Sequence, residues 1–352
     1  MPSHTTGALD WGCIRVLVVD DSLVAREMLK HILGSADGIE VIGTATDGAE
    51  AVEMTAALRP DLVTMDIHMP RMDGIEATER IMAYTPTPVL VVSSSVYGEG
   101  VGRAFDALAC GALDVVLKPA PRDWAGLDDI ARDLVHRVRM LSQVRVITHV
   151  RGRSAGRHAA ARTEPRLGSV VAIGASTGGP SALREVLGAL PADLRAPVLV
   201  TQHIADGFVP GLVEWLDSAC ALRVRVADDG CALEPGTAYL APTGRDLTLD
   251  GGVVRLADPA AGQVHAPSAD VLFASVARSC GRDAVGVLLT GMGSDGARGL
   301  GALLEAGAAT IAQDEATSVV FGMPRAAIEL GAAERVLPLG DIAGAIVALV
   351  TL

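Results

Sequence analysis

Apolar positions along this chain recur in short β-branched runs separated by amphipathic stretches, and they do so in two series. From Ile14 to about Arg139, strand-like runs at Ile14–Val19, Glu40–Thr44, Leu62–Met65, Val89–Val92 and Asp114–Leu117 alternate with segments of helical period. Leu23–Leu33 is one such segment, with Val24, Met28 and Ile32 in one row and charges opposite. Five strands alternating with helices predict a doubly wound parallel sheet for residues 14–139. The periodicity lapses over residues 140–168, which are rich in Arg, Ala, Gly and Ser. This stretch reads as a linker, helical at its start. Residues 169–352 alternate again and predict a second α/β domain, doubly wound and mainly parallel. Its irregular middle, Val224–Leu256, contains Asp228-Asp229-Gly230 and Asp250-Gly251-Gly252 and predicts a hairpin. Ile342–Leu352 reads as a closing core element.

Composition narrows the chemistry. The chain has 352 residues, enough for two domains of ordinary size. Half are hydrophobic and 3% aromatic, so Val, Leu, Ile and Ala must fill the cores. A formal charge of −13 argues against a nucleic-acid binder, which needs a basic face. The arginines at 140–168 read as a solvated hinge rather than a nucleic-acid or membrane patch. Cys13, Cys110, Cys220, Cys231 and Cys280 form no C-x-x-C pair and read as small apolar residues in a reducing compartment. Residues 1–13 read as a flexible N-terminus without the basic-then-apolar order of a signal peptide. The longest apolar stretch, Ile342–Leu352, is shorter than the ~20 residues that span a bilayer. A cytoplasmic protein without membrane insertion is expected.

Asp20 and Asp21 close the first predicted strand, and Asp66 closes the third within Met65-Asp66-Ile67-His68-Met69-Pro70-Arg71-Met72-Asp73-Gly74. Parallel strands with right-handed crossovers bring such ends to one edge. Three carboxylates crowded there repel unless a hard divalent cation sits among them. Mg²⁺ suits such an oxygen site and also meets a phosphoryl oxygen. Ser93 offers a hydroxyl at the end of the fourth strand. Lys118 offers an ammonium at the end of the fifth, before Pro119. Singly, an Asp-Asp pair is a helix cap and a Lys-Pro a loop; together at strand ends, these groups suit in-line phosphoryl transfer.

Over residues 14–139 these motifs resemble the receiver domain of bacterial response regulators, which implies a flavodoxin-like five-stranded sheet. By that resemblance Asp66 is the phosphoacceptor and Asp20, Asp21 and Asp66 hold Mg²⁺. Ser93 and Lys118 then respond to the phosphoryl group, a phospho-histidine kinase is the donor, and a cis bond precedes Pro119. One departure stands out. Receivers commonly carry an aromatic switch residue three positions before the lysine, where this chain has Val115.

In the second half, Gly174-Ala175-Ser176-Thr177-Gly178-Gly179 follows one apolar run and leads into a helical segment. Such a turn lifts a serine clear of the backbone and leaves N–H groups free for an oxyanion; equally, it cradles a phosphate. His203, in Gln202-His203 after Val198–Val200, is a candidate base or a satisfied sheet-edge histidine. Asp295, in Thr290-Gly291-Met292-Gly293-Ser294-Asp295-Gly296 after Val285–Leu289, is a candidate orienting carboxylate or a cap for the helix starting at Ala297. All three at one sheet rim are what acyl transfer needs. Their order, Ser, His, Asp, differs from that of α/β-hydrolases and predicts another sheet topology.

These segments, with Pro267–Phe273, Ala312-Gln313-Asp314-Glu315 and Phe321-Gly322-Met323-Pro324-Arg325, resemble the catalytic domain of chemotaxis protein-glutamate methylesterases, the CheB family. The resemblance implies that Ser176 is the nucleophile, His203 the base and Asp295 its orienting partner. Met292 would donate a backbone N–H to the oxyanion, with Thr177 as a second donor. His265, just before the Pro267 match, reads as a loop histidine without a role. The implied substrates are glutamate γ-methyl esters, and certain glutamines, on methyl-accepting chemotaxis receptors, with no cofactor in this domain. A receiver ahead of it implies control: unphosphorylated, it covers the Ser176 site, and phosphorylation at Asp66 relieves the block. The competing readings are an inactive phosphate sink, a transcription factor, and an esterase with a different substrate. The intact Ser, His and Asp weigh against the first, and an acidic, strand-rich second half weighs against the second.

Overall fold

A computed structural model of the chain describes residues 13–94, 100–119, 127–146 and 170–350. The first series forms β1 (Ile14–Val19), α1 (Leu23–Gly34), β2 (Ile39–Ala45), α2 (Gly48–Leu58), β3 (Leu62–Met65), α3 (Gly74–Tyr84), β4 (Val89–Ser93), α4 (Gly100–Ala109), β5 (Asp114–Leu117) and α5 (Leu127–Leu141). The strands lie in the order β2-β1-β3-β4-β5, the doubly wound arrangement expected. β1, β3 and β4 are buried almost without break, as befits strands covered on both faces.

Helix α1 departs from the expected face. Its buried row is Ala25, Leu29 and Leu33, whereas Val24 is 62% exposed. Both rows repeat every four residues on neighbouring edges of a wide apolar stripe, so spacing alone does not say which edge meets the sheet. The expected cis bond at Pro119 is a second correction. Among the described residues the only cis peptide is Ala266–Pro267, so Lys118–Pro119 is trans. The two isomers of an X–Pro bond differ by only about 0.5–1 kcal/mol, too little for local sequence to decide. Of the expected linker, α5 reaches Leu141 and residues 142–146 follow it; 147–168 lie outside the described residues, as do 1–12 of the expected flexible N-terminus.

The second series forms β6 (Val170–Ala175), α6 (Gly179–Gly188), β7 (Val198–Gln202), α7 (Val209–Ala219), β8 (Arg223–Val226), β9 (Thr237–Leu240), β10 (Asp246–Asp250), β11 (Val253–Ala257), α8 (Ala269–Cys280), β12 (Ala284–Leu288), α9 (Ala297–Glu305), β13 (Ala309–Gln313), α10 (Met323–Glu329), β14 (Arg335–Leu337) and α11 (Leu339–Val350). Seven strands form one sheet in the order β14-β13-β12-β6-β7-β9-β8, every pair parallel. The expected hairpin is β10–β11, turning at Gly251-Gly252. The chain leaves β6 toward β7 and later returns on its other flank as β12. That change of direction opens a crevice at the carboxyl ends of these strands, where open α/β sheets place their sites. No helix among the described residues is long and apolar enough to cross a membrane.

Candidate active site

Sheet register brings the three motifs to one rim. Ala175 pairs with Gln202, so Ser176 and His203 leave adjacent strands side by side, and the His203 N–H donates to the Ala175 carbonyl at 3.0 Å. On the other flank Leu288 pairs with Gly174, and the Ser176 N–H donates to the Thr290 carbonyl at 3.0 Å. Ser176 is 5% exposed. Its turn depends on Gly178, at φ +76°, where an added Cβ would stand 2.6 Å from the Cβ of Val319.

Gln202 ties the two strand ends together. Its Nε2 donates to the carbonyls of Ser176 (2.8 Å) and His203 (2.9 Å). In the sequence, nothing marks this residue apart from its position directly before the histidine.

His203 and Asp295, 92 residues apart, meet at 2.8 Å between Nε2 and Oδ2. The ring's other nitrogen, Nδ1, is buried and has no hydrogen-bond partner among the described residues. A neutral imidazole that donates from Nε2 to the carboxylate carries its lone pair on Nδ1, which makes that atom the available base. The Ser176 hydroxyl is not hydrogen-bonded to it in this state. The structure therefore joins His203 to Asp295 and sets Ser176 on the neighbouring strand end, with no hydrogen bond between Ser176 and His203. Apo sites commonly tighten such bonds only with substrate present.

Asp295 does not cap the helix that follows it; Gly296 occupies that position, without a side-chain bond. It caps α8 instead. Oδ2 accepts from the Ala269 N–H (2.7 Å), and Oδ1 from the Ser268 hydroxyl (2.8 Å) and the Asp270 N–H (3.1 Å). Burial pushes its carboxyl up, but the hydrogen bond and charge of His203, with the Ser268 and Ala269 donors, outweigh this and hold it well below the ordinary aspartate range. It stays ionised facing the ring.

The Gly291–Met292 peptide is held rigidly beside the nucleophile. The Gly291 carbonyl accepts from the Gly322 (3.1 Å) and Met323 (2.9 Å) N–H groups, and its own N–H donates to Val320. Because the peptide is planar and trans, the Met292 N–H is left on the opposite side from that carbonyl. Thr290 anchors the same loop: its N–H donates to Gln313 Oε1 (2.7 Å), its hydroxyl donates to the Thr177 carbonyl (3.0 Å), and that hydroxyl accepts from the Val320 N–H (2.9 Å). The Thr177 hydroxyl is buried without a partner among the described residues. A Cβ added to Gly291 would meet Met323 Sδ at 2.2 Å and Ser176 Cβ at 2.8 Å. Gly291→Ala is therefore expected to displace the nucleophile and lower kcat about 10–100-fold, by steady-state ester hydrolysis.

His265, read from sequence as a loop histidine, is exposed, yet it lies over His203 with ring centroids 4.5 Å apart and planes 12° from parallel.

A second set of groups stands at the carboxyl rim of the five-stranded sheet. Lys118 Nζ lies 2.6 Å from Asp20 Oδ2 and 2.9 Å from Asp66 Oδ2. The Lys118 N–H donates to the Ser93 carbonyl at 2.8 Å, which brings β4 and β5 together there. Burial raises the Asp66 carboxyl, opposed by Lys118 and reinforced by Asp20. Burial lowers the Lys118 ammonium, but Asp66 and Asp20 outweigh it, so its net shift is upward and it stays charged. Oxygens of Asp20, Asp21 and Asp66 lie within 4.8 Å of one another. Three hard carboxylate oxygens against one ammonium leave uncompensated negative charge, and this donor set fits Mg²⁺. Val115, at the position of the usual aromatic, is 2% exposed and packed in the core.

Both halves of the chain match known families. The model of the CheB methylesterase family matches residues 171–346, and that of the response regulator receiver domain matches 16–124. A protein-glutamate methylesterase/protein-glutamine glutaminase of Anaeromyxobacter dehalogenans (strain 2CP-C) is 50% identical over 329 residues, 94% of this chain and 95% of its own. The chain belongs to the CheB methylesterase family. A second relative, from Syntrophus aciditrophicus (strain SB) and carrying the same enzyme name, is 46% identical over 96% of this chain and 98% of its own. The crystal structure of the Thermotoga maritima CheB methylesterase catalytic domain covers 52% of this chain and 98% of that one at 37% identity, with a TM-score of 0.49. As a CheB-family enzyme, the chain couples a response-regulator receiver to an ester-hydrolase domain.

Proposed function

We propose that the chain hydrolyses glutamate γ-methyl esters, and deamidates particular glutamines, on methyl-accepting chemotaxis receptors, and that phosphorylation at Asp66 activates it. The 2.8 Å His203–Asp295 bond, with Nδ1 buried and open beside the strand end that carries Ser176, carries the reading. The paired activities in the relatives' names support both reactions.

Ser176 Oγ attacks the ester carbonyl while Nδ1 of His203 takes its proton, and the ionised Asp295 stabilises the imidazolium. The Met292 N–H, with Thr177 beside it, meets the oxyanion. Collapse breaks the carbon–methoxy bond, and the imidazolium protonates the leaving methanol. Water then attacks the glutamyl–Ser176 ester and gives its proton to Nδ1; the carbon–Oγ bond breaks, the imidazolium returns the proton to Ser176 Oγ, and glutamate is released. With glutamine, ammonia leaves in place of methanol. This domain needs no cofactor for these steps.

In the receiver, Asp20, Asp21 and Asp66 would hold Mg²⁺, which when bound offsets the charge of an incoming phosphoryl group. Asp66 Oδ2 is the acceptor oxygen for phosphate from a phospho-histidine kinase. Lys118 faces the phosphoryl oxygens, and the Ser93 hydroxyl registers their arrival. The chain works in the cytoplasm, without nucleic acid and without entering the membrane. Acetyl phosphate is expected to speed methanol release severalfold, and Asp66→Asn or EDTA to remove that response. Hydrolysis of simple esters with no methanol from methylated receptor membranes would overturn the substrate assignment.

A further inference from the structure

Asp295 holds the His203 ring at a single atom, Nε2. With the Cβ–Cγ bond as its other tether, one hydrogen bond still leaves the imidazole room to tilt, which would shift the direction in which Nδ1 points. Something must set the plane of the ring. The His265 ring lies on it, nearly parallel, at 4.5 Å.

We propose that His265 is a positioning residue for the esterase reaction: its imidazole lies flat on His203 and holds that ring in the plane from which Nδ1 serves Ser176. The assignment rests on the relay proposed above. Three features support it. First, the backbone presenting His265 is anchored. Gln263 Nε2 donates to the His265 carbonyl (2.6 Å) and to the buried Asp246 carboxylate (2.8 and 2.9 Å), Asp246 Oδ1 accepts from the Ser268 N–H (2.8 Å), and the Gly244 N–H donates to the Ala266 carbonyl (3.0 Å). An exposed side chain on so pinned a backbone is placed rather than free. Second, the same short segment supplies the Ser268, Ala269 and Asp270 donors that hold Asp295. Residues 265–270 thus grip the His–Asp pair twice, once through the carboxylate and once through the face of the ring. Third, burial against its neighbours and the nearby charge of His203 lower the His265 ring below the ordinary histidine range, against the opposing pull of Asp295. A neutral cover packs on His203 without repelling the imidazolium formed during turnover.

The test compares His265→Ala with His265→Phe, which keeps a flat ring but loses both nitrogens. Each full-length variant is read with two probes. Methanol release from methylated receptor membranes gives kcat and KM. The rate at which a fluorophosphonate labels Ser176, by intact mass, needs an activated serine but no ester substrate. His265→Ala is expected to lower kcat and the labelling rate about 10–100-fold, with KM within about twofold, as for a misplaced catalytic group. His265→Phe is expected to restore most of both, with melting temperatures showing all variants folded. A His265→Ala enzyme matching wild type would overturn the proposal. So would a Phe variant as slow as the Ala variant, because the nitrogens would then act chemically. A wild-type chain labelled at Ser176 but releasing no methanol refutes the receptor substrate alone and leaves His265 tested by labelling. A wild-type chain inert to both probes refutes relay and proposal together.

Discussion

Ser176→Ala is expected to lower kcat by about 10⁴–10⁶-fold, the range seen when the nucleophile of an interdependent triad is removed. Among its described neighbours at the rim, Gln202 and Thr290 are committed to backbone partners. The substitution deletes one oxygen in a 5% exposed residue whose N–H and carbonyl remain bonded to Thr290, Gly179 and Gln202, so the fold should be unchanged. The variant should also lose the fluorophosphonate adduct while still accepting phosphate at Asp66. Turnover within tenfold of wild type would remove Ser176 from its role.

Asp295→Asn is expected to lower kcat by about four orders of magnitude, because an amide in place of the carboxylate no longer selects the tautomer with its lone pair on Nδ1. Unlike the serine, Asp295 also holds the start of α8, so the change should destabilise the fold by about 1–3 kcal/mol through the Ala269 and Asp270 N–H groups. The two effects separate by pH. The folded carboxyl lies well below its ordinary value, so its contribution is fully present above the unfolded pKa of about 3.9 and fades as pH falls below it. The gap in melting temperature between wild type and Asp295→Asn should therefore be widest near neutrality and narrow below about pH 4, whereas a gap that widens in acid would contradict the ionised state assigned here.

Much of this site could be read before the fold was known, for a specific reason. In a parallel sheet the residues after each strand all emerge at one edge. Locating the apolar runs before Ser176, His203 and Asp295 is thus enough to place them at one rim. The same logic assembled Asp20, Asp66 and Lys118. Failures fell where the deciding interaction is long-range or nearly degenerate. The buried row of α1 lay one residue over because two neighbouring edges of one stripe share the same spacing. The trans state of Lys118–Pro119 turns on a small energy difference. Asp295 caps α8, whose start lies 26 residues earlier, rather than the helix that begins two residues ahead. His265 is the exposed loop histidine the sequence predicts, but no local pattern shows that its ring stacks on a partner 62 positions away.

Methanol released from methylated receptor membranes by the intact chain, with and without acetyl phosphate, tests the central claim most directly. A receiver-controlled glutamyl methylesterase should liberate methanol in step with newly formed glutamate and do so faster once phosphate is supplied. Absence of methanol in both conditions, from a chain whose Ser176 is intact, would contradict it.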